Sequence, residues 1–531
     1  MSPTKPVFWL LCAIVLLPVA HLLSGLVAPA DPATWKQLVD HLLPAALRDS
    51  IILTVGVCLL SLLFGLPAAW CVTRYRFPGR RWLSILLVLP LAVPPYVAAY
   101  ISTDAREALI PWLVEIRRNH GVDAYLQVEL IHRYAWLATM LAAVLYPYIF
   151  LAARAAFASA GTRAAESASL LGAGPWRRFF TVSLPLARPA LVAGLFLVAM
   201  ETLNDYGATS HFGIQTLTPV LFRTWFGLDD LPSALRLASF VLLAILLLRL
   251  VEVRLRGRAG YHQKNRPSDP RLVPNTRRLI ACYTACLIPI AIGFLYPCLT
   301  LLHWLRLASG PDRSADFLRA AFHSVGLGLG VTLACLLLAL PLTGILRFHP
   351  GRLRDALLRA VTLCGYAAPG AVLAIAIFAT ASAIRGIPAL PDFLTPLLLS
   401  GSILWLSYGL VVRYFTIAGQ MVRESYDSLP RSLDEQSRLL GQSPITTFFR
   451  LHLPLLRPTL AAAGVIIFID VIKELPLTLI LRPFDFETLG TWTYGLANQG
   501  TILATAAPSL VIILIGSLGI LLVELLIWKR L

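Results

Sequence analysis

Runs of about 20 apolar residues recur along this chain and constrain its fold more than any other feature. About 20 helical residues are needed to cross the roughly 30 Å hydrocarbon core of a bilayer. Hydrophobic residues make up 57% of the chain and charged residues 14%, whereas soluble domains carry about 25% charged residues. We therefore predict an all-α polytopic membrane protein. Its twelve candidate transmembrane helices are residues 7–28, 51–72, 83–101, 135–153, 190–208, 233–252, 279–303, 322–345, 357–381, 396–417, 459–480 and 503–527.

The positive charges are distributed unequally between the two sides of the predicted membrane. The formal net charge is +17, which by itself would be compatible with nucleic-acid binding. With the N-terminus in the cytosol, however, most Lys and Arg residues fall on the cytosolic side, as in residues 74–81, 254–278 and 347–354. This is the positive-inside asymmetry of membrane proteins. It predicts cytosolic termini and no nucleic-acid partner. Residues 7–28 lack a clear A-x-A cleavage site and are therefore interpreted as a retained anchor rather than a cleaved signal peptide.

A polar, proline-rich stretch occurs twice between the apolar runs. Residues 166–191 read ESASLLGAGPWRRFFTVSLPLARPAL, and residues 435–460 read EQSRLLGQSPITTFFRLHLPLLRPTL, 269 positions later. The apolar runs that begin at residues 50 and 324 match as well. Each half contains six predicted helices, and an even number makes both halves enter the membrane in the same sense, as parallel repeats. Both copies of the stretch are thereby predicted on the cytosolic face.

The duplication predicts the domain organisation. We expect an N-terminal anchor helix and outer loop, a first transmembrane domain, a basic cytosolic linker, the first helix and outer loop of the second half, and a second transmembrane domain. The corresponding residues are 1–46, 47–252, 253–278, 279–319 and 320–527.

The repeated stretch is predicted to form a short helix, a glycine turn and a second short helix. Ser432 and Glu435 have the spacing of a capping box at the start of the first helix. Gly441 is suited to a left-handed C-terminal cap and Pro444 to the first turn of the next helix. Pro454 and Pro458 are expected to break the chain before the following span. The first copy has the same pattern with Glu166, Gly172, Pro175, Pro185 and Pro189.

Two readings of this stretch are open. Each copy can be an ordinary amphipathic helix at the membrane interface, with its glutamate acting only as a helix cap. Two copies at the same position of each repeat, on the same side, instead favour a pair of docking elements for a two-fold symmetric partner.

The pattern E-x-x-x-x-x-G with its apolar-Pro-x-x-x-Pro exit resembles the "EAA" loop of ABC-importer permeases. Ser167-Ala168 and Gln436-Ser437 stand where that signature has alanines. The resemblance implies the type I ABC importer permease fold in a bacterial inner membrane, an ATPase partner in two copies and an extracytoplasmic substrate-binding protein. It further implies that the ATPase-coupling residues are Glu166, Gly172, Pro175, Glu435, Gly441 and Pro444.

The sequence contains no motif for covalent chemistry or nucleotide binding. GxxxxGK[ST], whose backbone amides would hold phosphates, is missing, and the dipeptide Gly-Lys does not occur. The eight cysteines lie within or beside the apolar runs and are interpreted as small packing residues. We therefore predict a transport subunit without enzyme activity, cofactor or metal site, and energy must come from a partner chain.

Charged residues inside the predicted spans are candidates for the translocation pathway, because such charges are costly in a membrane. They occur after each coupling stretch, as Glu201 and Asp205 in the first half and Asp470, Lys473 and Glu474 in the second. Glu201 matches Asp470, and Asp205 matches Glu474, under the 269-residue shift. Two readings stay open: an intrahelical Asp470–Lys473 ion pair, or carboxylates lining a path for a cation.

The segments ETLNDYGATSHFGIQTLT and VIKELPLTLILRPFDFETL resemble those of fused ferric-iron ABC permeases. That resemblance implies Fe3+ as the transported substrate. Thiamine, polyamine and other small-solute ABC permeases are the alternatives, and a secondary transporter is an alternative from another class.

Arg413 is placed near the inner end of the predicted span 396–417. We expect its long side chain to extend to the membrane interface, where the guanidinium remains hydrated.

Overall fold

The computed structural model describes residues 4–27, 29–159, 168, 170–172, 174–256, 272–308, 314–348, 351–385 and 402–528. Regular structure in these residues is helical, apart from one isolated backbone pairing between Tyr75 and Leu272. In the first half the helices are α1 (Thr4–Ser24), α2 (Pro32–Gln37), α3 (Leu43–Arg74), α4 (Arg80–Leu86), α5 (Pro95–Ile101), α6 (Thr103–Glu107), α7 (Ile110–Ser159), α8 (Pro175–Arg178), α9 (Leu184–Asn204), α10 (Gly207–His211), α11 (Leu217–Phe222) and α12 (Leu231–Arg256).

The second half follows the same order. Its helices are α13 (Thr276–Ile290), α14 (Tyr296–Leu307), α15 (Ser314–Phe348), α16 (Arg352–Ala367), α17 (Gly370–Arg385), α18 (Ile403–Ser428), α19 (Ser432–Leu439), α20 (Pro444–Thr447), α21 (Leu453–Ile472), α22 (Pro476–Leu481), α23 (Leu489–Asn498) and α24 (Ala506–Trp528). Single π-helical turns lie at Leu38–Leu42, Phe179–Ser183, Arg223–Gly227, Ala291–Leu295 and Phe448–His452, and 3₁₀ turns at Leu89–Ala92 and Ile502–Thr505.

The apolar runs form membrane-spanning helices, as the sequence predicts. Eight helical segments of the described residues are long and apolar enough to cross a bilayer. The segments Arg80–Ala92 and Pro95–Ile101 are apolar enough only when taken together, and they are bent by 88° at the break between them, as in a broken span or a re-entrant loop. The predicted span 83–101 is therefore divided into two helical segments, because Pro94 and Pro95 interrupt the helical hydrogen bonds. Shorter apolar helices, Phe8–Ser24 and Gly370–Arg385, account for two further predicted spans.

The prolines after each coupling stretch do not break the chain. Phe179–Asn204 and Pro444–Ile472 are each one continuous helical span. Pro454 lies in the first turn of α21 and Pro458 lies inside it, directly after the π-helical turn Phe448–His452. A π-helical turn shifts the hydrogen-bond register and accommodates the amide that proline lacks. The predicted break at these prolines is therefore wrong.

The two halves interlock through their first helices. The long pairs α3–α7 and α15–α18 form the centre of each half. The N-terminal α1 packs against α16 and α17 of the second half, whereas α13, the first helix of that half, packs against α3. The π-helical turn Ala291–Leu295, directly after α13, packs against α7. Close approach there requires a glycine, since a Cβ on Gly293 would lie 2.0 Å from the carbonyl oxygen of Ala143. Each half is thus packed against the first helix of the other half.

Candidate functional site

The second coupling loop has the predicted order of short helix, glycine turn and short helix. Helix α19 is followed by Gly441, whose φ of +72° lies in the left-handed region that favours glycine. Pro444 is the first residue of α20, as predicted. Leu439 and Leu440, just before the glycine, are 87% and 77% exposed. The loop therefore presents an apolar tip to its surroundings.

The predicted capping box at Ser432 is wrong. Helix α19 begins after Arg431, and no side-chain hydrogen bond caps its N-terminus. Arg431 already has helical backbone angles (φ −67°, ψ −24°), whereas a capping residue is normally extended. Glu435 lies in the first turn, where a carboxylate interacts favourably with the helix dipole, and its side chain is exposed.

The first coupling loop shares the same backbone geometry where it is described. Glu166 lies outside the described residues. Gly172 has a φ of +77°, and α8 begins at Pro175. Leu170 and Leu171 are 89% and 87% exposed. Both halves therefore place a pair of exposed leucines directly before a left-handed glycine.

The charged residues of the predicted pathway meet in one small chamber between the two halves. Its cavity has a volume of about 70 Å³. Its lining combines residues from the ends of α9 and α21 with aromatic rings from α5 and α18. The charged members are four carboxylates and two cations, Glu201, Asp205, Asp470, Glu474, Arg413 and Lys473. The structure thus brings together every predicted pathway residue.

Asp205 and Glu474, which match in the repeat, perform the same structural role. Asp205 accepts a hydrogen bond from the amide of Thr209 at 2.8 Å. Glu474 accepts from the amides of Leu477 and Thr478, both at 2.9 Å, and from the Thr478 hydroxyl at 2.7 Å. Each carboxylate satisfies amides at the start of a short helix that follows the break in its span. Both are therefore helix caps whose charge also borders the chamber.

The second matching pair, Glu201 and Asp470, differs between the halves. Asp470 forms an ion pair with Lys473 at 2.8 Å, three residues further along the chain. This confirms the intrahelical ion pair that the sequence predicted as one reading. The position matching Lys473 in the first half is Asn204, whose Oδ1 accepts from the amide of Gly370. The second half thus supplies a cation to the chamber where the first supplies an amide.

Arg413 is also part of this chamber, so the expected interfacial position is wrong. Helix α18 runs from Ile403 to Ser428, so that Arg413 lies near its middle. Its guanidinium is buried, 3.4 Å from the Ala368 carbonyl oxygen and 3.5 Å from Asn204 Oδ1. The sequence signal was an arginine flanked on both sides by apolar helix. The predicted boundaries placed it wrongly because the apolar run was assigned too early in the chain.

A larger cavity adjoins the chamber and was not predicted. Its volume is about 620 Å³, and it shares Asp470 and Lys473 with the chamber. Arg154 of the first half binds Glu524 of the last helix at 3.1 Å across it. The sequence did contain a signal for charged residues in this region. Glu252 and Glu524 are single carboxylates in the apolar last helices of the two halves, and such residues are functional candidates in a membrane. The two cavities thus meet at Asp470 and Lys473, and the larger one is lined mostly by apolar side chains with a few charged residues.

Comparison with known proteins agrees with the duplication. The family described as "Binding-protein-dependent transport system inner membrane component" matches residues 61–257 and again residues 326–528. The chain belongs to this family. Its fold is that of the ABC-importer permeases, with two copies of the permease domain in one chain. Members of the family are transport permeases that work with an ATPase and a substrate-binding protein.

Three relatives illustrate the range of transported substrates within the family. The Fe(3+)-transport system permease protein FbpB 2 of Haemophilus influenzae is 24% identical, over 98% of this chain and 99% of the relative. The sulfate transport system permease protein CysT of Escherichia coli is 29% identical, over 47% of this chain and 89% of the relative. The molybdenum transport system permease protein ModB of Escherichia coli is 33% identical, over 31% of this chain and 71% of the relative.

Proposed function

We propose that this permease forms the path of a ferric-iron importer in a bacterial inner membrane. In this proposal residues 47–252 and 320–527 are its two transmembrane domains and both termini are cytosolic. A binding protein delivers Fe3+ to the outer side, and two copies of an ATPase subunit bind the two coupling loops on the cytosolic side.

The observation that carries the proposal is the charge of the chamber between the halves. Four carboxylates and two cations line it, which leaves a formal charge of −2. In a confined, poorly hydrated space such a charge attracts cations and opposes anions. The chamber therefore supports a cationic substrate over the oxyanion of the sulfate relative.

The extent of similarity favours iron among the cations. The Fe(3+) relative aligns with nearly the whole of this chain, and it is also a two-domain permease. The sulfate and molybdenum relatives each align with half of the chain or less. Thiamine and polyamines are cations too, so the chamber charge alone does not separate them from iron.

The coupling role rests on the shape and exposure of the two loops. Each places two exposed leucines directly before a left-handed glycine, and each starts the next helix with proline. Exposed apolar side chains on a polar surface mark protein interaction sites. An ATPase dimer presents two equivalent surfaces, which two such loops can occupy together.

The test is to reconstitute the chain with its ATPase in lipid vesicles and to add candidate binding proteins. We expect an Fe3+-loaded binding protein to stimulate ATP hydrolysis and to drive 55Fe uptake, whereas the same protein without iron does not. A thiamine- or polyamine-loaded protein serves as the matched control. Stimulation by either of these, with none by the Fe3+-loaded protein, would show that the substrate is not iron.

A further inference from the structure

The second coupling helix is fixed to its own half by one buried carboxylate. Asp434 is the buried residue of α19. Its oxygens accept from Nε of Arg347 at 2.8 Å and lie 2.7 Å from Nε2 of His452. Arg347 comes from the last turn of α15, and His452 from the π-helical turn before α21. Three segments distant in sequence thus meet at one carboxylate.

Arg347 extends the connection to the segment that leads into the coupling helix. Its Nη1 donates to the carbonyl oxygen of Tyr426 at 2.5 Å, and its Nη2 donates to that of Pro430 at 3.2 Å. The Arg347 and Asp434 side chains are only 9% and 12% exposed. An ion pair that is shielded from water to this degree holds a defined geometry, because each partner would be left uncompensated without the other.

The imidazole of His452 is held in place by two aromatic rings. It is stacked on Phe348 and meets Tyr426 edge-on, in both cases with ring centroids 5.4 Å apart. The side chain is fully buried. His452 therefore holds Asp434 from a fixed position at the base of α21, the helix that leads to the pathway residues Asp470 and Lys473.

The first half lacks two of these three side chains at the matching positions. Under the 269-residue shift, Ala165 stands in place of Asp434 and Ser183 in place of His452, whereas Arg74 lies in the last turn of α3 as Arg347 does in that of α15. Trp70 instead makes edge-to-face contacts with Phe157 at 5.2 Å and with Phe179 at 4.9 Å. Among the described residues, the first half therefore packs aromatic rings behind its coupling loop.

We propose that Arg347, Asp434 and His452 are positioning residues that make the second coupling helix move as one body with α15, α18 and α21, so that the ATPase drives the two halves through unlike connections. This rests on the proposed coupling function. In this proposal the cluster transmits the movement of the ATPase and does not itself bind the ATPase, since all three side chains face inward. Movement of α19 would reach Asp470 and Lys473 through His452 and α21.

The experiment measures substrate transported per ATP hydrolysed by the reconstituted complex with loaded binding protein. For Asp434→Ala and for Arg347→Gln we expect this ratio to fall by about tenfold or more, a typical size for coupling between two sites. Retention of the ATPase on purification and a hydrolysis rate at least about half that of the wild type are expected in both. The matched control is Arg352→Gln, an exposed arginine at the start of α16 and outside both coupling loops, which should leave the ratio unchanged.

Two further variants separate positioning from folding. Asp434→Glu keeps the charge and should recover most of the ratio, whereas a merely space-filling role would favour Asp434→Asn, which keeps the volume. In the double variant Arg347→Gln/Asp434→Ala, the ratio of substrate transported to ATP hydrolysed should be no lower than in the single variant with the lower ratio. Both substitutions remove the same connection, so their effects should not add.

The outcomes are distinguishable from failure of the proposed function. If wild-type chain neither retains the ATPase nor responds to any loaded binding protein, the coupling function itself is wrong. If the wild type is coupled and both single variants keep a ratio within about twofold of it, the positioning role is overturned. Loss of the ATPase from folded Asp434→Ala would also overturn it, since the cluster would then act in binding.

Discussion

The two halves of the permease share backbone geometry around their coupling loops and differ in the side chains that anchor them. Gly172 and Gly441 are both left-handed, and Pro175 and Pro444 both begin the next helix. Behind these turns, the first half packs Trp70 against two phenylalanines, whereas the second buries an ionic cluster. Duplication has thus retained the turns that set chain direction and left the anchors free to diverge.

The chamber between the halves shows the same division. Asp205 and Glu474 cap equivalent short helices, so a backbone requirement preserves a carboxylate in both halves. Lys473 and its counterpart Asn204 differ in charge and in partner, since Lys473 pairs with Asp470 whereas Asn204 accepts from the amide of Gly370 in the other half. The two halves are therefore alike at the carboxylates that cap short helices, and they differ at the neighbouring residues that set the charge of the chamber.

The largest effect is expected from the left-handed glycines, which the halves share. Valine at Gly172 or Gly441 would add a Cβ at positive φ, at a cost of roughly 1–2 kcal/mol per site, more for a β-branched residue. We expect each single variant to reduce transport by about tenfold and the double variant to abolish it, with the membrane fold intact. Transport and ATP hydrolysis in vesicles measure this.

Asparagine is the control for both glycines, since it tolerates the left-handed conformation better than other residues with a side chain. Gly172→Asn and Gly441→Asn should keep most of the transport activity. Normal transport by the double valine variant would contradict the assignment of these loops to coupling. A loss at only one glycine would show that the halves are unequal even in the turns they share.

A smaller effect is expected at the two helix caps. Glu474→Ala removes three hydrogen bonds and Asp205→Ala removes the bond from Thr209. Loss of a cap costs about 0.5–2 kcal/mol of unfolding free energy. We therefore expect Glu474→Ala to lower the stability by the upper end of this range or more, and Asp205→Ala to lower it by less. Thermal unfolding in detergent measures the difference.

The amide variants separate the cap from the charge. Asp205→Asn and Glu474→Gln keep an acceptor for the short helix and should restore much of the lost stability. If the chamber charge attracts the substrate, both amides should still impair transport of a cation. Equal destabilisation by the alanine and amide variants would show that these carboxylates are not caps.

Much of this architecture could be predicted because it depends on local, repeated signals. Apolar runs of fixed length specify the spans, and the paired Gly and Pro residues specify the loops. The duplication then identified Glu201 with Asp470 and Asp205 with Glu474, and the structure places all four at one cavity. Each of these predictions used residues that are close in sequence or equivalent in the repeat.

The features that were missed depend on contacts between distant segments. Arg347, Asp434 and His452 lie in three different helical segments, and no periodicity links them. Arg154 and Glu524 are 370 residues apart and come from opposite halves. Arg413 was misplaced because a helix boundary within apolar sequence carries little signal, and its burial depends on the neighbouring Asn204. Tertiary packing, which pattern reading does not supply, decided all three.

The smallest effect is expected where two matching arginines bind different partners. Arg154 and Arg423 match in the repeat. Arg154 binds the Ser84 hydroxyl at 2.8 Å and also Glu524 of the last helix, whereas Arg423 binds Asp355 at 2.5 Å. Asp355 lies at the start of α16, outside the eight spans. Partial burial opposes its ionisation, but hydrogen bonds and charge from Arg359 and Arg423 outweigh this and lower the pKa of Asp355 below its ordinary 3.8.

A lowered pKa in the folded state fixes the sign of the pH dependence. The ionised carboxylate stabilises the fold at pH values above 3.8, and this contribution disappears as the pH falls through the lowered pKa. We expect Asp355→Asn to cost up to about 1 kcal/mol at neutral pH, as for other partly exposed ion pairs. The difference from wild type should stay constant down to about pH 4 and shrink below it.

Ser84→Ala, at the uncharged contact of the first half, should show a difference that does not change with pH, because no carboxylate is removed there. Thermal unfolding across this pH range measures both variants, and equal pH profiles for the two would contradict the inequality of the halves at this contact.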